Sequence, residues 1–287
     1  MSERSGSVAV VTDSTAYLSA GLLAANDISV VPLTVVINGV EGLEGLDATP
    51  TEVARTLGAR RVAVTTSRPS PEIFASTYRK LLDDGAPGVV SVHLSAELSG
   101  TVESATLAAA EVGERVAVVD ARSTGMGLGF PALAAAAAAA GGADLAGVRA
   151  AAADAIERTT TLLYVDTLEF IRRGGRIGPA SALLGTALSV KPILHVAGGA
   201  IVLRDKVRTA SRGVARLVDL AMEAAGESDV DAAVHHLGAS ERAGVLADAL
   251  AERLGGRLHD RYVTEVGAVV AAHVGPGLLG IVIHRRP

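Results

Sequence analysis

The sequence predicts an α/β protein with an N-terminal parallel-sheet α/β domain and a C-terminal mixed-sheet α/β domain, on three observations. Four Val-rich runs in the first half, at 8–11, 62–64, 89–94 and 116–119, are short and β-branched without alternation, the pattern of strands buried on both faces. Helix-period segments lie between them, so the strands are joined by crossovers and run parallel. The second half breaks that rhythm: 192–196 and 200–204, joined through Gly198-Gly199, form a hairpin beside helical crossovers, which requires a mixed sheet. The domains are placed at 1–157 and 158–287.

After the first strand, 18–25 reads as a short helix and 28–37 as one strand carrying Pro32, closed by the Asn38-Gly39 turn signal. A polar, Gly-punctuated stretch at 41–50 precedes a helix at 51–57. Ser70-Pro71 is a helix start, with Ser at the cap and Pro at the first helical position, and Ile73, Phe74, Thr77, Tyr78 and Leu81 keep the helical period. Further helices are expected at 101–110, through the polyalanine run that Gly141-Gly142 stops, and from an Asp144 cap to about Glu157. In the second half 162–165 reads as a strand, 168–172 as a helical turn and 180–187 as a small-residue helix. Helices at 209–225 and 240–254 alternate with strands near 231–236, 257–263 and 278–284.

Composition narrows the function. A chain of 287 residues can hold two cores, and 49% hydrophobic against 20% charged residues describes a folded, not a disordered, protein. The net charge of -5 argues against broad attraction to nucleic acid or an anionic membrane. Cysteine is absent, which removes disulfides, thiolate nucleophiles and Cys-based metal sites and fits a cytoplasmic protein. The polar start Met1-Ser2-Glu3-Arg4-Ser5-Gly6 leads straight into a strand without the apolar segment of a secretory signal. The longest apolar stretch, 131–140, falls short of the ~20 residues that cross a bilayer, so no integral membrane segment is expected. With no Trp, three Phe and four Tyr, any cavity is lined by Val, Leu, Ile and Ala, which suits an acyl chain and equally an ordinary core.

Each Val-rich run ends in a hydroxyl-rich cluster: Thr12-Asp13-Ser14-Thr15, Thr65-Thr66-Ser67, Ser95 through Thr101, and Ser123-Thr124. In open parallel sheets ligands lie beyond the carboxyl ends of the strands, and these ends offer neutral hydrogen-bonding groups suited to an oxygen-rich head group. Thr66 precedes a helix start whose free amides favour an anion; Thr65, Thr66 and Ser67 are equally explained as turn caps. Ser95 and Ser99, beside Gly100, allow the same two readings. No Gly-x-Ser-x-Gly elbow is present, and a serine nucleophile has no local base, so a catalytic serine is disfavoured. Gly125-Met126-Gly127-Leu128-Gly129 has the wrong spacing for a dinucleotide loop and reads as packing and turn glycines. The histidines show no metal spacing: His235 and His236 are adjacent in a strand and point to opposite faces. His273, followed by Val274-Gly275-Pro276-Gly277, sits beside a rigid turn and could bond a ligand or be structural. Arg172, Arg173 and Arg176 flank Gly174-Gly175, and Lys206 and Arg208 follow the hairpin; guanidinium forks suit phosphate or carboxylates, against the plainer reading of a solvated basic face.

Taken together and in this order, Val11-Thr12-Asp13-Ser14-Thr15, Thr66-Ser67-Arg68-Pro69-Ser70, Leu98-Ser99-Gly100-Thr101, Gly174-Gly175-Arg176-Ile177, Lys191-Pro192-Ile193-Leu194 and His273-Val274-Gly275-Pro276-Gly277 resemble the DegV family. The resemblance covers almost the whole chain. It implies a bacterial protein that binds a long-chain fatty acid in a buried pocket and presents its carboxylate to the catalytic subunit of a fatty acid kinase, which makes the acyl phosphate from ATP. On that reading the chain is no enzyme, has no catalytic residue, metal or cofactor of its own, and carries the fatty acid as ligand. By motif position Thr66, Ser99 and His273 bind the carboxylate, Ser95 and Ser67 are secondary head-group contacts, and Arg176 and Arg208 face the kinase or its phosphates. His273 is expected to reach across from the second domain to Thr66 and Ser99 on neighbouring strand ends of the first. Two departures, Ala96 where the family often has a second Ser and no aromatic residue in Glu41-Gly42-Leu43-Glu44-Gly45, bear on which acyl chain fits. The rival reading is an independent small-molecule enzyme acting on a phosphorylated or carboxylated metabolite.

Overall fold

The computed structural model describes residues 6–58, 64–178 and 190–287. Contacts divide the chain into two units, one running up to Thr34 and then over Ser67–Glu157, the other formed by Val35–Thr66 and Arg158–Pro287. The first unit ends at Glu157 and the second resumes at Arg158. Residues 35–66, expected in the first domain, belong instead to the second unit.

Pro32 marks where the chain leaves the first unit. After β1 (Ala9–Asp13), α1 (Ala20–Ala25) and β2 (Ile28–Val31), the stretch expected to continue as one strand stops and resumes as β3 (Thr34–Ile37). Proline has no N–H to give a ladder. The next amide, Leu33 N–H, donates to Ser14 Oγ at 3.0 Å instead of to a strand. Asn38 and Gly39 both take positive φ, 53° and 83°, and turn β3 into β4 (Val40–Leu43). Then come α2 (Pro50–Gly58) and β5 (Val64–Ser67), and β4, β3 and β5 form a three-stranded sheet. Of the run at 62–64, residues 62 and 63 lie outside the described residues, and its continuation β5 is no part of the parallel sheet the sequence suggested.

That parallel sheet has the order β2-β1-β6-β7, with β6 at Val89–His93 and β7 at Val116–Asp120. Between them, α3 (Pro71–Asp83) and α4 (Thr101–Val112) bring Phe74, Tyr78, Leu81, Ala105 and Ala108 onto Ala9, Val11 and Val89. Val10, Val90 and Val92, alternating with those strand residues, are buried as well, and α5 (Met126–Ala140) and α6 (Leu145–Glu157) pack on β1, β6 and β7. The helix α5 starts at Met126, with Gly125 at its N-cap, and includes Gly127 and Gly129 of the run read as packing and turn glycines. A Cβ on Gly129 would stand 3.0 Å from the Ala16 carbonyl, so the residue is small because the backbone comes close. Connections leave β1 toward β2 on one side and toward β6 and β7 on the other, which makes the ends of β1 and β6 the switch point of the sheet.

The second unit continues with β8 (Thr159–Tyr164), α7 (Glu169–Arg173), β9 (Lys191–Ala197), β10 (Ala200–Val207), α8 (Ala210–Ala225), β11 (Val230–His236), α9 (Ser240–Leu254), β12 (Leu258–Glu265), α10 (Ala268–Val274) and β13 (Leu279–Arg285). These strands form a six-stranded sheet in the order β10-β9-β8-β13-β11-β12, in which, among the described residues, only β11 and β12 pair in parallel. Leu217 and Ala221 of α8 and Leu246 and Leu250 of α9 close the core over Leu162, Val234 and Ile281. The hairpin turns at Gly198 and Gly199, φ 59° and 88°. The helix expected at 180–187 lies outside the described residues, and α10 was not foreseen.

Candidate functional site

Two of the expected head-group residues meet within the second unit. Thr66, on β5, and His273, on the last turn of α10, are joined by a hydrogen bond of 2.8 Å between Thr66 Oγ1 and His273 Nε2. Thr66 therefore does not belong with the first sheet, because 35–66 crosses into the second unit, and β5 and β6 are not neighbours in one sheet. Burial pushes His273 down to about 4, with the charge of Arg176 acting in the same direction, so its ring is neutral at pH 7. His273 Nδ1 is buried without a hydrogen-bond partner among the described residues. With the ring proton on Nε2, His273 donates to Thr66 Oγ1 and the Thr66 hydroxyl proton is left to donate outward.

Glycines set the position of this histidine. A Cβ on Gly174 would lie 2.2 Å from His273 Nδ1, and Gly174 has an ordinary φ of -70°, so space and not backbone conformation demands glycine here. Gly275, at φ 72°, ends α10 against the ring of Phe170, and Gly277 leaves room for the carboxylate of Asp166. Asp166 is in turn held by Tyr164 Oη at 2.9 Å and Lys191 Nζ at 3.0 Å. Burial raises the Asp166 carboxyl, but hydrogen bonds from Lys191 and Tyr164 outweigh it and leave the group below its usual range. At the other end of α10, Glu44 reaches from the loop after β4 and accepts Val269 N–H at 2.8 Å. Glu44 is 5% exposed, a buried carboxylate placed where the dipole of a helix start favours it.

Ser99 stands in the first unit, in the turn between β6 and α4 at the switch point. It is half-buried and shares a hydrogen bond of 2.9 Å with Thr101 Oγ1. Ser95 is buried and its hydroxyl accepts Glu97 N–H at 3.2 Å, which closes the same turn. Ser67 is exposed and donates to the Arg68 carbonyl at 3.4 Å. Arg68, not singled out from the sequence, donates to the Gly100 carbonyl at 3.3 Å and pairs with Glu103. Of the basic residues, Arg172 and Arg173 are paired with Glu169. Arg176 is half-buried, donates to the Gly174 carbonyl at 2.5 Å, and lies within electrostatic reach of His273. Arg208 is exposed on a different loop, between β10 and the Thr209 cap of α8. Among the described residues no group of three or more His, Asp or Glu is placed to share a metal ion, and no helix is long and apolar enough to cross a membrane.

A family model described as an uncharacterised protein of the DegV family matches residues 7–286. A DegV domain-containing protein of Streptomyces coelicolor is 51% identical over 279 residues, covering 97% of this chain and 99% of that one. Another from Mycobacterium tuberculosis is 42% identical over 276 residues, 96% of each. Among solved structures, a DegV family protein of Thermus thermophilus described by its fatty acid binding superposes with a TM-score of 0.91 at 34% identity, covering 98% of this chain and 100% of that one. DegV of Bacillus subtilis, described as a fatty acid binding protein, superposes with a TM-score of 0.89 at 30% identity and the same coverage. By the match along nearly its whole length, this chain belongs to the DegV family.

Proposed function

We propose that this protein is a lipid carrier that binds one long-chain fatty acid and offers its carboxylate to a fatty acid kinase subunit for phosphorylation by ATP. The observation that carries the reading is the Thr66–His273 pair at 2.8 Å, which in the Nε2–H tautomer of the buried neutral imidazole frees the threonine hydroxyl to donate. Ser99 is the third residue assigned to the carboxylate, and its place at the sheet's switch point supports that role. Ser95 and Ser67 are left at most secondary parts, since each hydroxyl already serves its own turn. The fatty acid binding of the Thermus thermophilus and Bacillus subtilis relatives supports the choice of ligand.

Physical chemistry fits such a division of labour. Each methylene buried contributes about 0.8 kcal/mol, so the acyl chain supplies most of the affinity and the hydroxyls fix its direction. Neutral donors hold the carboxylate without a full counter-charge bonded to it, which leaves it nucleophilic toward the γ-phosphorus of ATP. Arg176 and Arg208 serve the kinase or its phosphates, and the carrier itself needs no cofactor and works in the cytoplasm, where ATP is supplied. Thr66→Ala and Ser99→Ala test the reading by palmitate titration. Each removes a donor from a buried carboxylate, expected to cost about 1 to 3 kcal/mol. Unchanged affinity in both refutes the head-group assignment.

A further inference from the structure

Beneath the switch point of the first unit lies a chain of four side chains that the carboxylate site does not use. Tyr78 Oη donates to Ser91 Oγ at 2.9 Å, Ser91 Oγ lies 2.6 Å from His93 Nε2, and His93 Nδ1 lies 3.1 Å from Asp13 Oδ2. Ser91, His93 and Asp13 thus have the connectivity of a hydrolase triad. All four residues are 0% exposed, and the Phe74 ring meets His93 edge-on with centroids 4.9 Å apart. No substrate reaches Ser91, so the independent-enzyme reading gains nothing from it.

The proton order follows from counting donors. Asp13 accepts, so His93 Nδ1 carries the ring proton; Tyr78 donates to Ser91 Oγ, so the serine's own proton goes to His93 Nε2. At its far end Asp13 joins the two loops of the switch point. Its Oδ1 accepts Thr15 N–H at 3.0 Å and the Thr15 hydroxyl at 2.6 Å, both from the turn after β1. Its Oδ2 also accepts Leu94 N–H at 2.9 Å, and Leu94 opens the loop that carries Ser95 and Ser99. A carboxylate with four donors in a dry interior has one arrangement, and a half-satisfied version is costly.

We propose that Asp13 and His93 are positioning residues for Ser99: the buried Tyr78–Ser91–His93–Asp13 chain holds the loop after β6 at the height where Ser99 meets the fatty-acid carboxylate. The inference rests on the carboxylate reading given above. Asp13→Asn is the informative change. Its amide keeps the shape, and in the orientation that preserves both Thr15 bonds to Oδ1 the NH2 takes the place of Oδ2 and faces the donors Leu94 N–H and His93 Nδ1–H.

The test combines palmitate titration with nitrogen NMR of the full chain. In the lipid-free wild type, His93 is expected as the Nδ1–H tautomer with Nε2 unprotonated. Asp13→Asn is expected to fold, to move His93 to the Nε2–H tautomer, and to weaken palmitate about tenfold. In a Ser99→Ala background the same change should cost less than about twofold, because the residue it positions is gone. Thr15→Val, which removes one bond to Asp13, should show the same non-additivity with a smaller loss and decides the matter where Asp13→Asn does not fold. Equal losses with and without Ser99, or an Nε2–H tautomer in the wild type, overturn this inference alone. A Ser99→Ala protein that binds palmitate normally overturns the assignment of Ser99 to the carboxylate and this inference with it, and unchanged affinity in Thr66→Ala as well overturns the carboxylate reading itself.

Discussion

Gly174→Ala places one methyl group against the residue on which the account most depends. The new Cβ would stand 2.2 Å from His273 Nδ1, where ordinary contact begins near 3.4 Å, so the ring must retreat by about an ångström. The backbone gives no reason for glycine at φ -70°, and alanine there is the better former of regular structure. Retreat of the ring stretches the 2.8 Å bond to Thr66 beyond useful length. The expected loss is a hydrogen bond plus the misplacement of the Thr66 donor, about 1 to 3 kcal/mol, or roughly 5- to 150-fold in palmitate affinity. Isothermal titration measures it, with thermal melting as a control for folding. Wild-type affinity in a folded Gly174→Ala protein would refute the view that His273 and Thr66 hold the carboxylate as a pair.

Other consequences are open to measurement. His273 and His235 are each drawn by burial from 6.5 to about 4 in the folded chain. Between those values the unfolded chain binds more protons, so stability rises with pH across that window, falls on acidification, and levels off below about 4. For His273 the effect amounts to at most about 3 kcal/mol, and His273→Asn should flatten this part of a urea-melt pH profile; an unchanged slope contradicts a neutral buried ring. Glu44→Ala leaves the Val269 N–H without its acceptor and should cost about 1 to 2 kcal/mol in urea stability, most of it restored by Glu44→Gln; equal losses in both variants would show that the contact works by charge and not by accepting the hydrogen bond. Arg176→Ala and Arg208→Ala should leave palmitate affinity nearly unaltered and reduce acyl phosphate formation with a cognate kinase. Lost lipid with normal phosphorylation of what remains would place these arginines in the lipid pocket.

What could be read from the sequence was local. Asn38-Gly39, Ser70-Pro71, Asp144 and Gly198-Gly199 mark their turns and caps because a single residue's φ or side-chain oxygen decides each of them. The Val-rich runs identify strands but not their partners, since the pattern of a buried strand is the same in any sheet; hence nothing local separates β5, which pairs in the three-stranded sheet, from the strands of the parallel one. Pro32 was visible, yet its effect, releasing residues 35–66 into the second unit, depends on distant packing. The Ala-rich α10 has no polar face to give it a helical period and is buried at Ala268, Val269, Ala271, Ala272 and Val274. Thr66, Ser99 and His273 came from motif order, whereas their supports did not. Asp13 and His93 lie 80 residues apart and Glu44 and Val269 lie 225 apart, distances over which no local signal extends. Gly174 carries no local signal of its role, and only the position of the His273 ring explains it.

The most direct test of the carrier account is mass spectrometry of lipid extracted from the purified full-length protein. The account predicts a long-chain fatty acid in near-stoichiometric amount from the wild type, and clearly less from the Thr66→Ala and Gly174→Ala proteins. Wild-type protein that folds, yields no fatty acid and fails to take up added palmitate would contradict it.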